Sequence, residues 1–188
     1  MGKEFEYYRV DSTNNDKFPL LKSDKGNPRY LYQDEPITDP DLMLFKWGTP
    51  VPRKPEMTDY HSSPESIISK KIYDVLNPLH IHGIQLLPAR IRGTNEEIFT
   101  DYWAIHIYNN ISCVDPKLSD CAIEDSGLGF VNKLVLDKAI LKEIPLHERL
   151  IFRLKEDFAY QLFHVSIVEK IMDVKPGGIR FVNIEEWN

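Results

Sequence analysis

Two stretches of this chain carry the same punctuation, and a chain that spells strand, helix and strand twice has few folds open to it. The first runs from Ile68-Ser69 through a short helical stretch with Ile72 and Leu76 inward, then Gly83 and the apolar run Ile84 to Leu87. The second runs from Val165-Ser166 through a helix with Val168, Ile171 and Met172 inward, then Gly178 and Ile179 to Val182. Serine suits an N-cap, where its hydroxyl accepts a free amide of the first turn, and glycine suits the release from a helix. Fourteen residues separate Ser69 from Gly83, and twelve separate Ser166 from Gly178. The pattern predicts two similar strand–helix–strand elements packed around one mixed sheet, although any such unit can punctuate itself this way. Ser166 with Glu169 reads as a capping box. Ser63-Pro64-Glu65 offers a rival start for the first helix, with proline at its first position; the comparison of the two stretches favours Ser69.

The remainder is written in strands and turns. Pro36, Pro40, Pro50, Pro52 and Pro55 exclude a long helix between residues 35 and 60. Leu42 to Trp47 reads as a strand or a buried extended run inside that zone. Alternation predicts further strands at Phe5–Val10, Arg29–Tyr32, Gly83–Ile91, Asp101–Tyr108, Phe130–Leu136, Leu150–Leu154, Tyr160–Val165 and Ile179–Ile184. Pro88 marks its strand as an edge or a bulge. The predicted class is α+β: a single domain with a mixed or largely antiparallel sheet and a few short helices.

Composition narrows the function. At 188 residues, with 42% hydrophobic and 28% charged side chains, the chain can bury a core without staples. No run approaches the roughly 20 apolar residues a membrane helix needs. The N-terminus carries charge where a secretory signal would be apolar, so a cytoplasmic protein is expected. Two cysteines, Cys113 and Cys121, suit reduced thiols rather than a disulfide framework. A net charge of −6 argues against nucleic-acid binding, which needs a basic field, and favours a cationic partner.

Catalytic patterns are thin. His80 and His82 share a face if extended, but no third and fourth metal ligand stands at a telling distance. Cys113 and Cys121 sit in no nucleophile context, and Gly127-Leu128-Gly129 lacks the rest of a nucleotide fingerprint. No metal or cofactor is expected. Two acidic clusters stand out as candidate protein-binding surface: Asp34, Glu35, Asp39 and Asp41, and Asp115, Asp120, Glu124 and Asp125. An enzyme built on His80, His82, Cys113 and Cys121, or a domain holding a small molecule in an apolar pocket, are the alternatives.

A succession of short motifs then carries a resemblance. It comprises Asp59-Tyr60, Ile67-Ile68-Ser69, Gly83 to Pro88, Ile111 to Asp115 with Ser119, Leu150 to Leu154, and Val165-Ser166 through Gly178-Ile179-Arg180-Phe181. In this order they resemble the eleventh-numbered immunity-protein family of bacterial polymorphic toxin systems. The likeness covers residues 40 to 187. Residues 1–40 lie outside it, as N-terminal strands and loops of the same domain, with residues 41–188 forming the immunity-like part. The resemblance implies a non-enzymatic protein, encoded beside a secreted toxin, that binds the cognate toxin domain and blocks it. It supplies no catalytic or cofactor-binding residues.

Overall fold

Residues 70 to 76 coil because Ile72 and Leu76 present one apolar edge four residues apart, while Lys70, Lys71 and Asp74 stay in water. A computed structural model describes residues 3–24, 33–124 and 127–186; the strand expected at Arg29–Tyr32 lies outside them. This helix, α1 (Lys70–Leu76), follows a strand, β5 (Ile67–Ser69), and leads through a turn of 3-10 helix into β6 (Ile84–Arg92). The second element is built alike: β12 (Asp157–His164), α3 (Val165–Asp173) and β13 (Ile179–Asn183).

These two elements do not share a sheet. β5 and β6 flank β7 (Ile98–Ile107), antiparallel to both, inside a six-stranded sheet completed by β2 (Leu21–Ser23), β3 (Met43–Trp47) and β4 (Tyr60–His61). Its order is β2-β3-β6-β7-β5-β4. β12 and β13 flank β1 (Tyr7–Ser12) in a second sheet, again antiparallel to both, with β11 (Ile151–Leu154) and β8 (Asn110–Ile111) beyond, in the order β13-β1-β12-β11-β8. A hairpin of β9 (Asp120–Glu124) and β10 (Gly127–Lys133) stands apart from both. The expected single sheet is therefore two, and the α+β class holds.

The cap of α3 corrects the expected one. His164 is the N-cap: its Nδ1 accepts the amide of Ser166, at 3.2 Å, so Ser166 lies within the first turn. Glu169 closes no capping box and instead pairs with Lys3. Ser69 does hold the cap position of α1, but its hydroxyl donates to Asp59 Oδ1 at 2.6 Å and not to the helix. Once His164 replaces Ser166, the unequal spacing disappears. Ser69 and His164, the left-handed His80 and Lys175, and the left-handed Gly83 and Gly178 all stand 95 positions apart.

The register carries the same offset. Tyr102 faces Ser69 and Ile107 faces Ile84 across β7, as Tyr7 faces His164 and Ser12 faces Ile179 across β1. The amides of Tyr108 and Thr13, also 95 apart, each donate to the glycine carbonyl at 2.9 Å. Both glycines are required where they sit. Beyond their positive φ, a Cβ on Gly83 would lie 2.2 Å from Asn109 Cβ, and one on Gly178 would lie 1.7 Å from Thr58 Oγ1. The chain is thus two structurally similar halves that have exchanged their first strands: β1 completes the sheet of the second half and β7 that of the first.

The central core lies between the sheets, where α1 and α3 meet. Ile72, Leu76, Ile68 and Ile105 pack against Ile167, Ile171, Phe163 and Val10. A second cluster, under α2 (Lys138–Glu143), lies on the outer face of the sheet around β1, and a third covers the outer face of the other sheet around Phe45 and Ile91. Pro88 lies within an inner strand, yet its missing amide costs no ladder bond, because β3 begins to pair only at Ala89. The expected irregularity follows at once, as a register shift between Ala89 and Ile91.

Two predictions follow from this architecture. Fragments 1–94 and 95–188, divided in the exposed β6–β7 turn, should each fail to melt cooperatively alone and should form a one-to-one folded complex when co-expressed. Cooperative melting of either fragment by itself would refute the exchange. The second concerns His61, which is buried with Nε2 unpartnered, so desolvation holds its imidazole down at about 4. The unfolded chain takes up this proton at higher pH than the native one, so native stability falls as pH drops from about 6.5 to 4, by about 3 kcal/mol from this group. Urea unfolding of His61→Gln across that range should show a correspondingly flatter loss.

Candidate functional site

The first acidic cluster is strung along residues 33–41, an extended segment that two anchors hold in place. Gln85 of β6 clamps Ile37 at both main-chain groups, with its Oε1 accepting the Ile37 amide at 2.7 Å and its Nε2 donating to the Ile37 carbonyl at 3.1 Å. His106 Nε2 lies 3.0 Å from the Glu35 carbonyl oxygen. With the main chain pinned, the carboxylates of Asp34, Glu35, Asp39 and Asp41 all face solvent, and Leu42 beside them is 43% exposed. Pro36 and Pro40 keep the segment from pairing as a strand.

The second cluster is divided in its duties. Asp115 is half-buried, and its Oδ1 accepts the amides of Lys117 and Leu118 at 2.8 and 3.1 Å, closing the turn that displays Leu118, 60% exposed. Asp120 is exposed and accepts Asn132 Nδ2 at 3.0 Å. Asp125 and the side chain of Glu124 lie outside the described residues.

The first cluster reaches β8, where a further acid, Glu156, stands on the residues that follow. Asn110 Nδ2 donates to Asp34 Oδ1 at 2.6 Å, and two residues on, Ser112 Oγ donates to Glu156 Oε1 at 2.8 Å. Glu156 also accepts the Val114 amide at 3.2 Å. Carboxylates from far-separated parts of the chain therefore flank one extended segment, and Asp157 and Phe158, 41% exposed, follow Glu156 in the neighbouring hairpin. Glu156 and Asp157 escaped the sequence reading because they form an isolated acidic pair between Lys155 and Phe158, and only the parallel pairing of β8 with β11 brings Glu156 beside Ser112. Lys117, Lys133 and Lys155 also belong to these loops, so the face is acidic with isolated bases.

The residues of the alternative reading border this face, with His82 beside Asn110 and Ser112 and Cys121 near Asp120 and Glu156. His80 and His82 are exposed at the turn after α1, and among the described residues no group of three potential ligands could hold a metal. Cys113 is buried and Cys121 half-buried, and both are free thiols. Burial pushes each thiol up, and at Cys121 the charges of Asp120 and Glu156 push the same way. Both environments oppose the thiolate that a nucleophile requires. Among the described residues no helix is long and apolar enough to cross a membrane.

Comparison with curated proteins gives no match. Comparison with family models matches residues 13–186 to the immunity protein family Imm11. The match takes in β2 and residues 33–39 of the acidic segment, which the sequence resemblance left outside. The chain belongs to the Imm11 immunity protein family.

Proposed function

We propose that this chain is a non-enzymatic immunity protein that works in the bacterial cytoplasm by binding and neutralising a cognate secreted toxin domain. Family membership supports the role. The observation that carries the interface is the convergence of Asp34 and Glu156 on either side of Asn110 and Ser112. Asp34 belongs to the first acidic cluster, Glu156 acts on Cys121 together with Asp120 of the second, and Leu42, Leu118 and Phe158 are exposed close in sequence to these acids. Apolar side chains within a charged rim suit an interface of standard size, about 1,600 Å² in total, in which few residues carry most of the affinity. The acidic rim selects a cationic toxin surface and accelerates its approach.

The test expresses the neighbouring toxin domain with and without this chain, then titrates the purified pair. Protection of the cell and a one-to-one complex are expected; a toxin that kills equally in both cases removes the role. Reversing Glu35, Asp39 and Asp41, whose carboxylates make no described bond, should slow association about tenfold at low salt and flatten its salt dependence, with dissociation little changed. Phe158→Ala should act the other way, weakening the complex by about 2 kcal/mol, mainly through faster dissociation. Protection with unchanged kinetics in both variants would keep the immunity role and discard this face.

A further inference from the structure

The two halves differ where each central strand ends. After β7 the chain runs straight on through Asn109 into β8, which lies parallel along the edge of β11, and Arg153 and Lys155 donate their amides to the carbonyls of Asn109 and Ile111 at 2.9 and 3.0 Å. Asn109 stitches the seam further, its Nδ2 donating to the carbonyls of Glu148 and Ile151. The counterpart of β11 in the first half is β4, since Tyr60 faces Ile68 as Ile151 faces Phe163. The residues that correspond to Asn109 and Asn110 are Asn14 and Asn15, again asparagines and again 95 positions away. They do not cover β4. The chain turns instead, with Asn15 Oδ1 accepting the Lys17 amide at 3.0 Å and its carbonyl accepting the Phe18 amide at 2.9 Å.

An opening of about 600 Å³ is left beside β4, walled by Asn14, Phe18, Leu21, Val51 and Ser62. Because the Ser69 amide donates to the Asp59 carbonyl, antiparallel alternation turns the main-chain groups of Tyr60 and Ser62 outward, toward this opening. Neither makes a main-chain hydrogen bond on that side among the described residues, and the Asn14 side chain has no described partner. A bare strand edge of this kind is a template for another strand.

We propose that the edge of β4 receives an extended segment of the toxin polypeptide, laid along Tyr60 to Ser62 as β8 lies along β11. The occupant is inferred from the molecule itself, because the corresponding edge in the other half holds a short extended peptide. Recognition is through main-chain groups, and the Asn14 amide, at the wall of the opening, is available to donate to a carbonyl of the incoming segment. Asp16, at the wall of the opening and without a described partner, suits a lysine or arginine in that segment. This inference rests on the proposed toxin partner, but not on which face the folded toxin domain covers.

The experiment compares hydrogen exchange and affinity for the toxin domain encoded beside this chain. In the free protein the Ser62 amide should exchange rapidly while those of Arg153 and Lys155 are protected; in the complex Ser62 should become protected. Ser62→Pro removes the outward amide and should weaken binding at least tenfold, whereas Ser62→Ala keeps that amide, gives up only the hydroxyl bond to Ser12 Oγ, and should bind at least fivefold more tightly than Ser62→Pro. Asn14→Trp fills the opening and should weaken binding without touching β4. A complex that forms with Ser62 still exchanging freely, or in which Ser62→Pro and Asn14→Trp bind as well as Ser62→Ala, overturns the proposal and leaves the immunity role standing. Protection of Ser62 in the free protein, with the mass of a dimer, overturns it in favour of a second copy. A toxin domain that does not bind the parent chain removes the proposed function and this inference with it.

Discussion

Neither sheet of this protein has a middle without the other half of the chain. β7 lies between β5 and β6, and β1 lies between β12 and β13, so each half supplies the strand that joins the other's two outer ones. Loop-closure entropy makes such long-range pairing costly to form. The central core repays it, since Ile72, Leu76, Ile167 and Ile171 bury their side chains only when both helices and both sheets are in place. Truncating one of these to alanine would remove about 2–5 kcal/mol, a large share of the net stability of an ordinary domain.

Where the exchanged strands enter, the two halves solve the same problem differently. Tyr102 donates its hydroxyl to the Thr58 carbonyl at 3.1 Å. Its counterpart Tyr7 accepts from Arg149 Nη1 at 2.7 Å, and that guanidinium, only 1% exposed, also donates to the carbonyls of Glu4 and Ile144 and lies over the Phe5 ring. A buried cation is tolerable only with such a full set of acceptors. Arg149 thereby clamps Glu4 and Phe5 beside β1, whereas the corresponding seam at Tyr102 is closed by one main-chain carbonyl. Similar backbones have been given different chemistry at their seams, and one seam has been left open.

Much of this was legible in the residues. The strand–serine–helix–glycine pattern located both strand–helix–strand elements, because apolar spacing and left-handed glycines are local physics that tertiary contacts did not override. At the second helix the serine pattern points two residues past the true cap. A histidine imidazole can accept an amide as a serine hydroxyl can, and only the geometry places His164 at the cap. α2 went unseen because six residues carry little periodicity, although Asp137, which accepts the amides of Ala139 and Ile140, was its available signal. Asp34, Glu35, Asp39 and Asp41 were visible as a cluster. The approach of Glu156 to Ser112, two residues from the Asn110 that holds Asp34, was not, since it depends on β8 pairing with β11 rather than on any local pattern.

The exchange of first strands also has a meaning in time. β1 is made well before β12 and β13, its ladder partners among the described residues, which lie at residues 157–183. At roughly 5–20 residues per second, β1 waits on the order of ten to thirty seconds for them. Until then the nascent chain carries an unpaired strand and a half-built core, a state that invites chaperones and wrong neighbours.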